Sequence, residues 1–214
     1  MATVKKLLKG LSGTRPGARE PQEDSGYFST MFLEHDEATP RLVPWATRAA
    51  DVQARAVEHS TGAIQFARAW NDDRHAVLLR EGELKKLTEY LDFVNIDAER
   101  EVITQDEQGD YLLIVLDGTI AVDREQPWGG RARLGEAKAG DLLGEMSLLD
   151  AGTRFSSCRS ITPCMLAVLE AKALDRMMND DPRLAAVLMA ALARRLSLRL
   201  RQASARLSAL LTNA

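Results

Sequence analysis

A short segment bounded by glycine residues brings an acidic and a basic side chain close together in the sequence. Glu145 directly follows Gly144, and Arg154 comes after the next turn-like stretch. A carboxylate accepts hydrogen bonds from a sugar hydroxyl, whereas a guanidinium donates paired hydrogen bonds to phosphate oxygens. The backbone N–H groups of Met146 and Ser147, at the start of a predicted short helix, add donors for an anion. The segment therefore predicts a site for a small ligand that carries both a hydroxyl group and a phosphate.

Short strand-like segments surround this site and must position it. The predicted strands cover residues 91–96, 101–105, 111–116, 119–123, 131–137, 159–161 and 165–169. Turn sequences such as Asp117-Gly118 separate them. Many short strands with intervening turns indicate a barrel or a double-sheet jelly roll.

Helical patterns flank the strands on both sides. Apolar spacing predicts helices over residues 47–70 and 74–89, with a possible break in the first helix at Gly62. From residue 171 onward the pattern is entirely helical, and Pro182 fits the first turn of a long helix. The fold class is therefore mainly β with flanking helices.

The long C-terminal helix carries two apolar faces. One face, with Leu184, Leu188 and Leu192, is expected to lie on the strands. The other face repeats at alternating steps of three and four residues, through Ala186, Met189, Ala193, Leu196, Leu200, Ala203, Leu207 and Leu210. This heptad spacing predicts a parallel homodimer, with a monomeric helix packed wholly on its own strands as the alternative.

Taken in order, these pieces resemble the cyclic nucleotide-binding domain family, which includes catabolite activator proteins, protein kinase A regulatory subunits and cyclic-nucleotide-gated channels. The resemblance covers residues 84–211. Residues 108–122 resemble the third and fourth strands of the family with the glycine between them. Gly140-Asp141 resembles the turn before the phosphate-binding cassette, and residues 144–149 resemble its Gly-Glu motif. Arg154 occupies the position of the family's phosphate arginine.

The resemblance implies a double-stranded β-helix (jelly roll) with N-terminal helices and a long C-terminal helix. It also implies that Glu145 accepts the ribose 2′-hydroxyl, that Arg154 pairs with the cyclic phosphate, and that Gly144 lets the backbone approach the sugar. In the channel members an arginine of the C-terminal helix lies over the purine, and Arg199 resembles it. The predicted ligand-binding residues are Gly144, Glu145, Met146, Ser147, Arg154, Phe155, Ser156, Arg199 and Leu200.

Phe155 departs from the family pattern, in which a small residue follows the phosphate arginine. In cGMP-selective members a threonine there donates its hydroxyl to the guanine or the phosphate, which Phe155 cannot do. Three interpretations of Phe155 stay open: a core residue, a plug in the pocket, or a ring that stacks on the base. The core position is the favoured one.

Composition and motifs narrow the class of protein. The net charge of −3 implies no general attraction to nucleic acid, and no apolar run approaches the length of a membrane span. Cys158 and Cys164 are expected to be reduced packing residues on neighbouring strands of a cytoplasmic protein. Nucleophile-elbow, P-loop and metalloprotease motifs are absent, and all three histidines precede the strands, so neither an enzyme nor a metal site is expected.

Four regions follow from these patterns. Residues 1–45 are expected to form an irregular arm, 46–89 the N-terminal helices, 90–170 the β-roll with its cassette, and 171–214 the C-terminal helices and the dimer contact. A recognition helix is not expected after the long helix, so specific DNA binding is not predicted.

The sequence thus predicts a cyclic-nucleotide sensor for signal transduction. Its ligand is expected to be cAMP rather than cGMP, with no metal, and its output a contact with an effector protein. The alternative is a degenerate domain that binds no nucleotide and serves as a dimeric interaction module. Phe155 is the reason for keeping this alternative.

Overall fold

The structure is a computed structural model that describes residues 26–32, 40–71 and 79–212. Most of the predicted irregular arm and the start of the helix predicted over 74–89 lie outside the described residues. The helices are α1 Tyr27–Met31, α2 Trp45–Asp51, α3 His59–Asn71, α4 Glu81–Thr88, α5 Glu145–Asp150, α6 Ala171–Asp180 and α7 Pro182–Thr212. The strands are β1 Arg55–Ala56, β2 Asp92–Ile96, β3 Glu101–Ile103, β4 Tyr111–Asp117, β5 Ile120–Glu125, β6 Arg131–Ala137, β7 Leu142–Leu143, β8 Ser157–Ser160 and β9 Cys164–Glu170.

The strands form two antiparallel sheets, as the mainly-β fold class predicts. One sheet has the order β1-β2-β9-β4-β7 and the other β3-β8-β5-β6. An interior cluster joins them: Ile96, Val115 and Leu166 of the first sheet pack with Ile103 and Ile120 of the second. A second cluster lies between the first sheet and the helices. Every residue of β4 except Asp117 is buried, because this strand contributes to both clusters. The architecture is the jelly roll with flanking helices.

Helix α7 has one buried face and one exposed face. Leu184, Leu188 and Leu192 are buried among residues of α6 and the first sheet, as predicted. The predicted heptad stripe lies on the other side, and Leu200 and Leu207 are largely exposed. From residue 200 to residue 211 every side chain of α7 is exposed, so this half of the helix extends beyond its own domain.

The N-terminal arm contains a structured part that the sequence did not reveal. Residues 26–32 form the short helix α1, which packs on α6. The two carboxylate oxygens of Asp175 accept hydrogen bonds from the N–H groups of Phe28 and Ser29, each at 2.8 Å. Phe28 and Phe32 are buried in the same cluster as the inner face of α7. The carboxylate of Asp175 and the buried rings of Phe28 and Phe32 therefore hold α1 against the domain.

The break in the first predicted helix lies elsewhere than expected. The chain leaves the helical conformation after Asp51, forms β1, and starts α3 at His59, so residues 47–70 are not one helix. Gly62 lies inside α3, where a Cβ atom would be 2.1 Å from the Phe93 ring. The glycine therefore permits close packing of α3 on β2 and does not end a helix.

Two smaller expectations also differ from the structure. Strand β7 was not predicted, because it has only two residues and directly precedes the cassette. Cys158 and Cys164 are free and buried, as predicted, but β8 and β9 belong to different sheets and are not paired neighbours.

We expect Gly62→Ala to destabilise the chain although alanine is the better helix former. The added methyl group would press on the buried ring of Phe93, and overpacking of this kind costs about 1–3 kcal/mol. Gly82→Ala in α4 is the matched control, because nothing lies within 4 Å of its Cβ position, and it should stabilise by about 0.5 kcal/mol. Urea denaturation of both variants checks the opposite signs. Equal effects would contradict the packing explanation.

Candidate functional site

The cassette begins where β7 ends in a left-handed glycine. Gly144 has φ 78° and directly precedes α5, a conformation that favours glycine. A Cβ atom at this position would be 2.3 Å from an Nη atom of Arg154. The turn therefore needs glycine both for its backbone conformation and for the space that Arg154 occupies.

Arg154 is buried, with only 3% of its surface exposed. One Nη donates to the backbone oxygen of Gly144 and the other to that of Tyr111, both at 2.7 Å. The guanidinium carbon lies 4.5 Å from the centre of the Tyr111 ring. Gly109 lies against the other side, since a Cβ there would be 2.5 Å from the guanidinium. Burial lowers the pKa of Arg154 below its usual range.

Glu145 is also buried, and its Oε1 accepts a hydrogen bond from Arg199 of α7. The same arginine donates to the backbone oxygen of Leu142 at 2.8 Å. One helical turn earlier, Arg195 donates to the backbone oxygen of Gly140 at 2.7 Å. Two arginines at a spacing of one turn therefore attach α7 to residues 140–145, which lead into the cassette.

Cys158 of β8 is buried and lies close enough to the charged residues of the site to interact with them. Burial raises the pKa of its thiol to about 12, while Arg154 and Arg199 lower this pKa and Glu145 raises it. The thiol also interacts with the side chain of Ser156. Cys158 and Ser156 therefore face the charged residues of the site. The sequence predicts Ser156 as a site residue but Cys158 only as a packing residue.

Asp110 is a second residue that the sequence reasoning did not assign to the site. Its Oδ1 is buried and has no hydrogen-bond partner among the described residues. Burial raises the pKa of this carboxyl group, and Arg154 and Lys172 lower it. The available signal was its place between Gly109 and Tyr111, both of which contact Arg154.

Phe155 is not a core residue, so the favoured interpretation was wrong. About 53% of its surface is exposed, and the guanidinium of Arg124 lies 4.0 Å from the centre of its ring. Arg124 also donates a hydrogen bond to the backbone oxygen of Phe155. The ring lies at the surface beside Arg154.

The other predicted site residues divide into two groups. The buried Ser147 lies in the first turn of α5, whereas the Met146 side chain is half exposed. Leu200 is 69% exposed on the outer stripe of α7, and the structure does not bring it to the cassette. Arg199 reaches the cassette, where it contacts Glu145 while about half of its side chain stays exposed. The structure therefore brings together Gly144, Glu145, Arg154 and Arg199.

Metal binding and membrane insertion find no support in the described parts of the chain. Over residues 26–32, 40–71 and 79–212, no three His, Cys, Asp or Glu side chains are grouped so that they could hold a metal ion. Among the helices of the same residues, none has the length and apolar character needed to cross a bilayer.

Comparison with known proteins identifies related chains. At 33% identity over 110 residues, the chain is similar to a CRP-like cAMP-activated global transcriptional regulator of Mycobacterium tuberculosis, covering 51% of this chain and 49% of that protein. It is 38% identical over 69 residues to the cGMP-dependent protein kinase egl-4 of Caenorhabditis briggsae, which covers 32% of this chain and 8% of the kinase. The chain thus spans about half the length, or less, of the curated relatives it matches.

Solved structures and a family model agree with these relatives. A cyclic nucleotide-binding domain from Methylobacillus flagellatus has a TM-score of 0.66 and 25% identity, over 73% of this chain and 88% of that one. The Thermus thermophilus catabolite activator protein has a TM-score of 0.54 and 29% identity, over 62% and 60%. The family model described as the cyclic nucleotide-binding domain matches residues 93–181. The matched residues include most of β2, β3 to β9 and the whole cassette, so this part of the chain is similar to the cyclic nucleotide-binding domain family.

Proposed function

We propose that the chain is a cytoplasmic cyclic-nucleotide sensor that binds cAMP in preference to cGMP and signals through contacts with another protein. The observation that carries this proposal is the convergence of Glu145 and Arg154 at the start of α5. The carbonyl of Gly144 accepts a hydrogen bond from Arg154, and the next residue is Glu145. A hydroxyl acceptor and a phosphate donor therefore lie side by side in a buried setting.

The contacts of both side chains are compatible with a ligand. Arg154 donates to two neutral carbonyl oxygens, and a phosphate oxygen is a stronger, charged acceptor for the same donors. Arg199 uses Oε1 of Glu145, and a carboxylate has a second oxygen that can accept a sugar hydroxyl. A cyclic nucleotide can thus engage the cassette while α7 stays attached to Glu145.

Two observations support cAMP as the ligand. The Mycobacterium relative is described as cAMP-activated, and it matches about half of this chain. Phe155 offers no hydroxyl group at the position where cGMP-selective members of the family carry a threonine. Its half-exposed ring lies at the surface and not in the interior, which weakens the reason for a degenerate domain.

The attachment of α7 to Glu145 provides the signalling element. A ligand that binds Glu145 changes the environment of the Arg199 guanidinium, and through it the position of α7. Only a difference in affinity for two positions of α7 can shift their populations. A ligand hydroxyl on the second oxygen of Glu145 changes the strength of the pairing between Glu145 and Arg199, and this change supplies the difference.

The exposed stripe of α7 supports a parallel homodimer as the form of the sensor. In the heptad, Arg199 and Arg206 lie directly before the stripe positions Leu200 and Leu207. In a parallel pair of α7 helices, Arg206 would lie opposite Leu211 of the second copy. In an antiparallel pair, these flanking arginines of the two copies would face each other. Charge repulsion therefore favours the parallel arrangement.

One observation keeps the interaction module as a second candidate. Both charged groups of the cassette have hydrogen-bond partners within the chain, namely Arg199 for Glu145 and two carbonyls for Arg154. A domain that binds no nucleotide would be stable with these contacts alone. Calorimetric titration with cAMP, cGMP and cyclic dinucleotides separates the two candidates, and no heat with any of them at millimolar concentration would establish the second.

We expect Arg154→Ala to weaken cAMP binding by roughly ten- to a hundredfold, since hydrogen bonds to a charged group contribute about 1.5–3 kcal/mol. Isothermal titration calorimetry measures the change. Arg159→Ala is the matched control, because Arg159 lies on β8, five residues after Arg154, and pairs with Glu101. Circular dichroism verifies that both variants fold. Unchanged affinity in a folded Arg154→Ala variant would refute the phosphate assignment.

We expect Arg199→Ala to uncouple α7 from the cassette. In the wild-type chain, cAMP should change the hydrogen exchange of amides in α7, because Arg199 connects the helix to Glu145. In the variant this ligand-induced change should disappear, and stability should fall by about 1–2 kcal/mol through loss of a charged, half-exposed contact. Arg201→Ala, an exposed residue of the same helix, should behave as wild type. The same response to cAMP in both variants would contradict the coupling.

We expect the chain to sediment as a dimer at micromolar concentration and Leu207→Glu to sediment as a monomer. The substitution places a charge in the middle of the exposed stripe, where two copies would bury it. Ala205→Glu adds the same charge on the opposite side of the helix and should leave the dimer intact. A wild-type mass of one chain in analytical ultracentrifugation would show that the stripe does not mediate dimerisation.

A further inference from the structure

Arg124 lies on the ligand-facing side of the second sheet. In the pairing of β5 with β8, Val122 is opposite Cys158 and Asp123 is opposite Ser157. Side chains alternate along a strand, so Arg124 points to the same face of β5 as Val122. Directly paired residues point to the same face of a sheet, and Cys158 faces Arg154 and Glu145. The Arg124 side chain therefore leaves β5 on the face that carries the site, toward the end of the strand.

Arg124 differs from the other arginines of its hairpin in its contacts. Arg133 pairs with Asp123, and Arg131 pairs with Glu125 at 3.6 Å. By contrast, no carboxylate among the residues that the structure describes lies within ion-pair distance of Arg124. Arg124 contacts Phe155 in two ways. One face of its guanidinium covers the Phe155 ring, and an Nη atom donates a hydrogen bond to the backbone oxygen of Phe155.

This arrangement orients a planar cation beside the phosphate arginine. The ring of Phe155 holds one face of the Arg124 guanidinium at 4.0 Å from the ring centre, and Phe155 directly follows Arg154 in the chain. Arg124 is partly exposed, and the opposite face of its guanidinium can receive another flat group. A guanidinium stacks well on aromatic systems, and nucleobases offer such a face whatever their hydrogen-bonding pattern.

We propose that Arg124, supported by Phe155, is a further ligand-binding residue that stacks on the purine base of the nucleotide. The inference rests on the proposed function, because it extends the same site from the sugar and phosphate to the base. It gives Phe155 a role: the aromatic ring positions the guanidinium in place of the hydroxyl group that this position carries in other members. The stacking energy depends on the size of the base. Arg124 therefore discriminates purines from pyrimidines more strongly than adenine from guanine.

The test is calorimetric titration of wild type, Arg124→Ala and Arg124→Lys with cAMP, cGMP and the 3′,5′-cyclic phosphate of cytidine. Arg124→Ala should weaken the binding of both purine nucleotides by roughly two- to thirtyfold, and the binding of the cytidine compound by less. Arg124→Lys keeps the positive charge but lacks the planar guanidinium, so it should restore only part of the lost affinity. Arg131→Ala, on the same hairpin, is the control and should bind all three ligands as wild type does.

Three results would overturn the inference. Unchanged binding by Arg124→Ala would show that the residue does not contact the ligand. Equal losses for the purine and pyrimidine nucleotides, or full recovery with lysine, would assign Arg124 to the charged phosphate and not to the base. If the wild-type chain binds none of the three ligands, the proposed function itself fails. Binding by the wild type that is lost in Arg154→Ala but not in Arg124→Ala would leave the function intact and remove only this inference.

Discussion

The burial of the Arg154 guanidinium is the constraint on which the arrangement of the site depends. A buried cation is costly unless polar groups surround it, and here the backbone oxygens of Gly144 and Tyr111 accept its hydrogen bonds. Those two carbonyls belong to the start of the cassette and to strand β4 of the first sheet. Gly109 and Gly144 leave the space in which the guanidinium lies. One side chain therefore fixes the distance between β4 and α5.

A second charged group connects this buried centre to the outside of the molecule. Glu145 is adjacent to the carbonyl that binds Arg154, and it pairs with Arg199 on α7. The same helix carries Leu184, Leu188 and Leu192 on its buried face and the heptad stripe on its exposed face. A change at the cassette can thus reach the proposed dimer surface through a single rigid helix. In the proposed sensor, this short route makes the exposed part of α7 the output element.

The parts of the fold that depend on local sequence could be predicted, and the parts that depend on tertiary contacts could not. Strand β6 and the cassette follow from alternation, turns and the spacing of Glu145 and Arg154. The position of Phe155 could not be predicted, because its apolar side chain suggests burial while its surroundings provide a cation. The packing role of Gly62 could not be predicted either, because its contact with Phe93 exists only once α3 packs on β2. Helix α1 escaped detection for the same reason: its cap, Asp175, is far away in the chain.

The burial of the charged groups also determines which ligands the site can select. In a buried setting an unpaired charge is expensive, so a ligand that displaces a carbonyl from Arg154 must supply an acceptor at least as good. A phosphate meets this condition, whereas a neutral sugar does not. The carboxyl group of Asp110, whose pKa is raised by burial, adds a negative charge near Arg154 when it ionises. Because Arg154 lowers this pKa, an anion that neutralised Arg154 would raise it further.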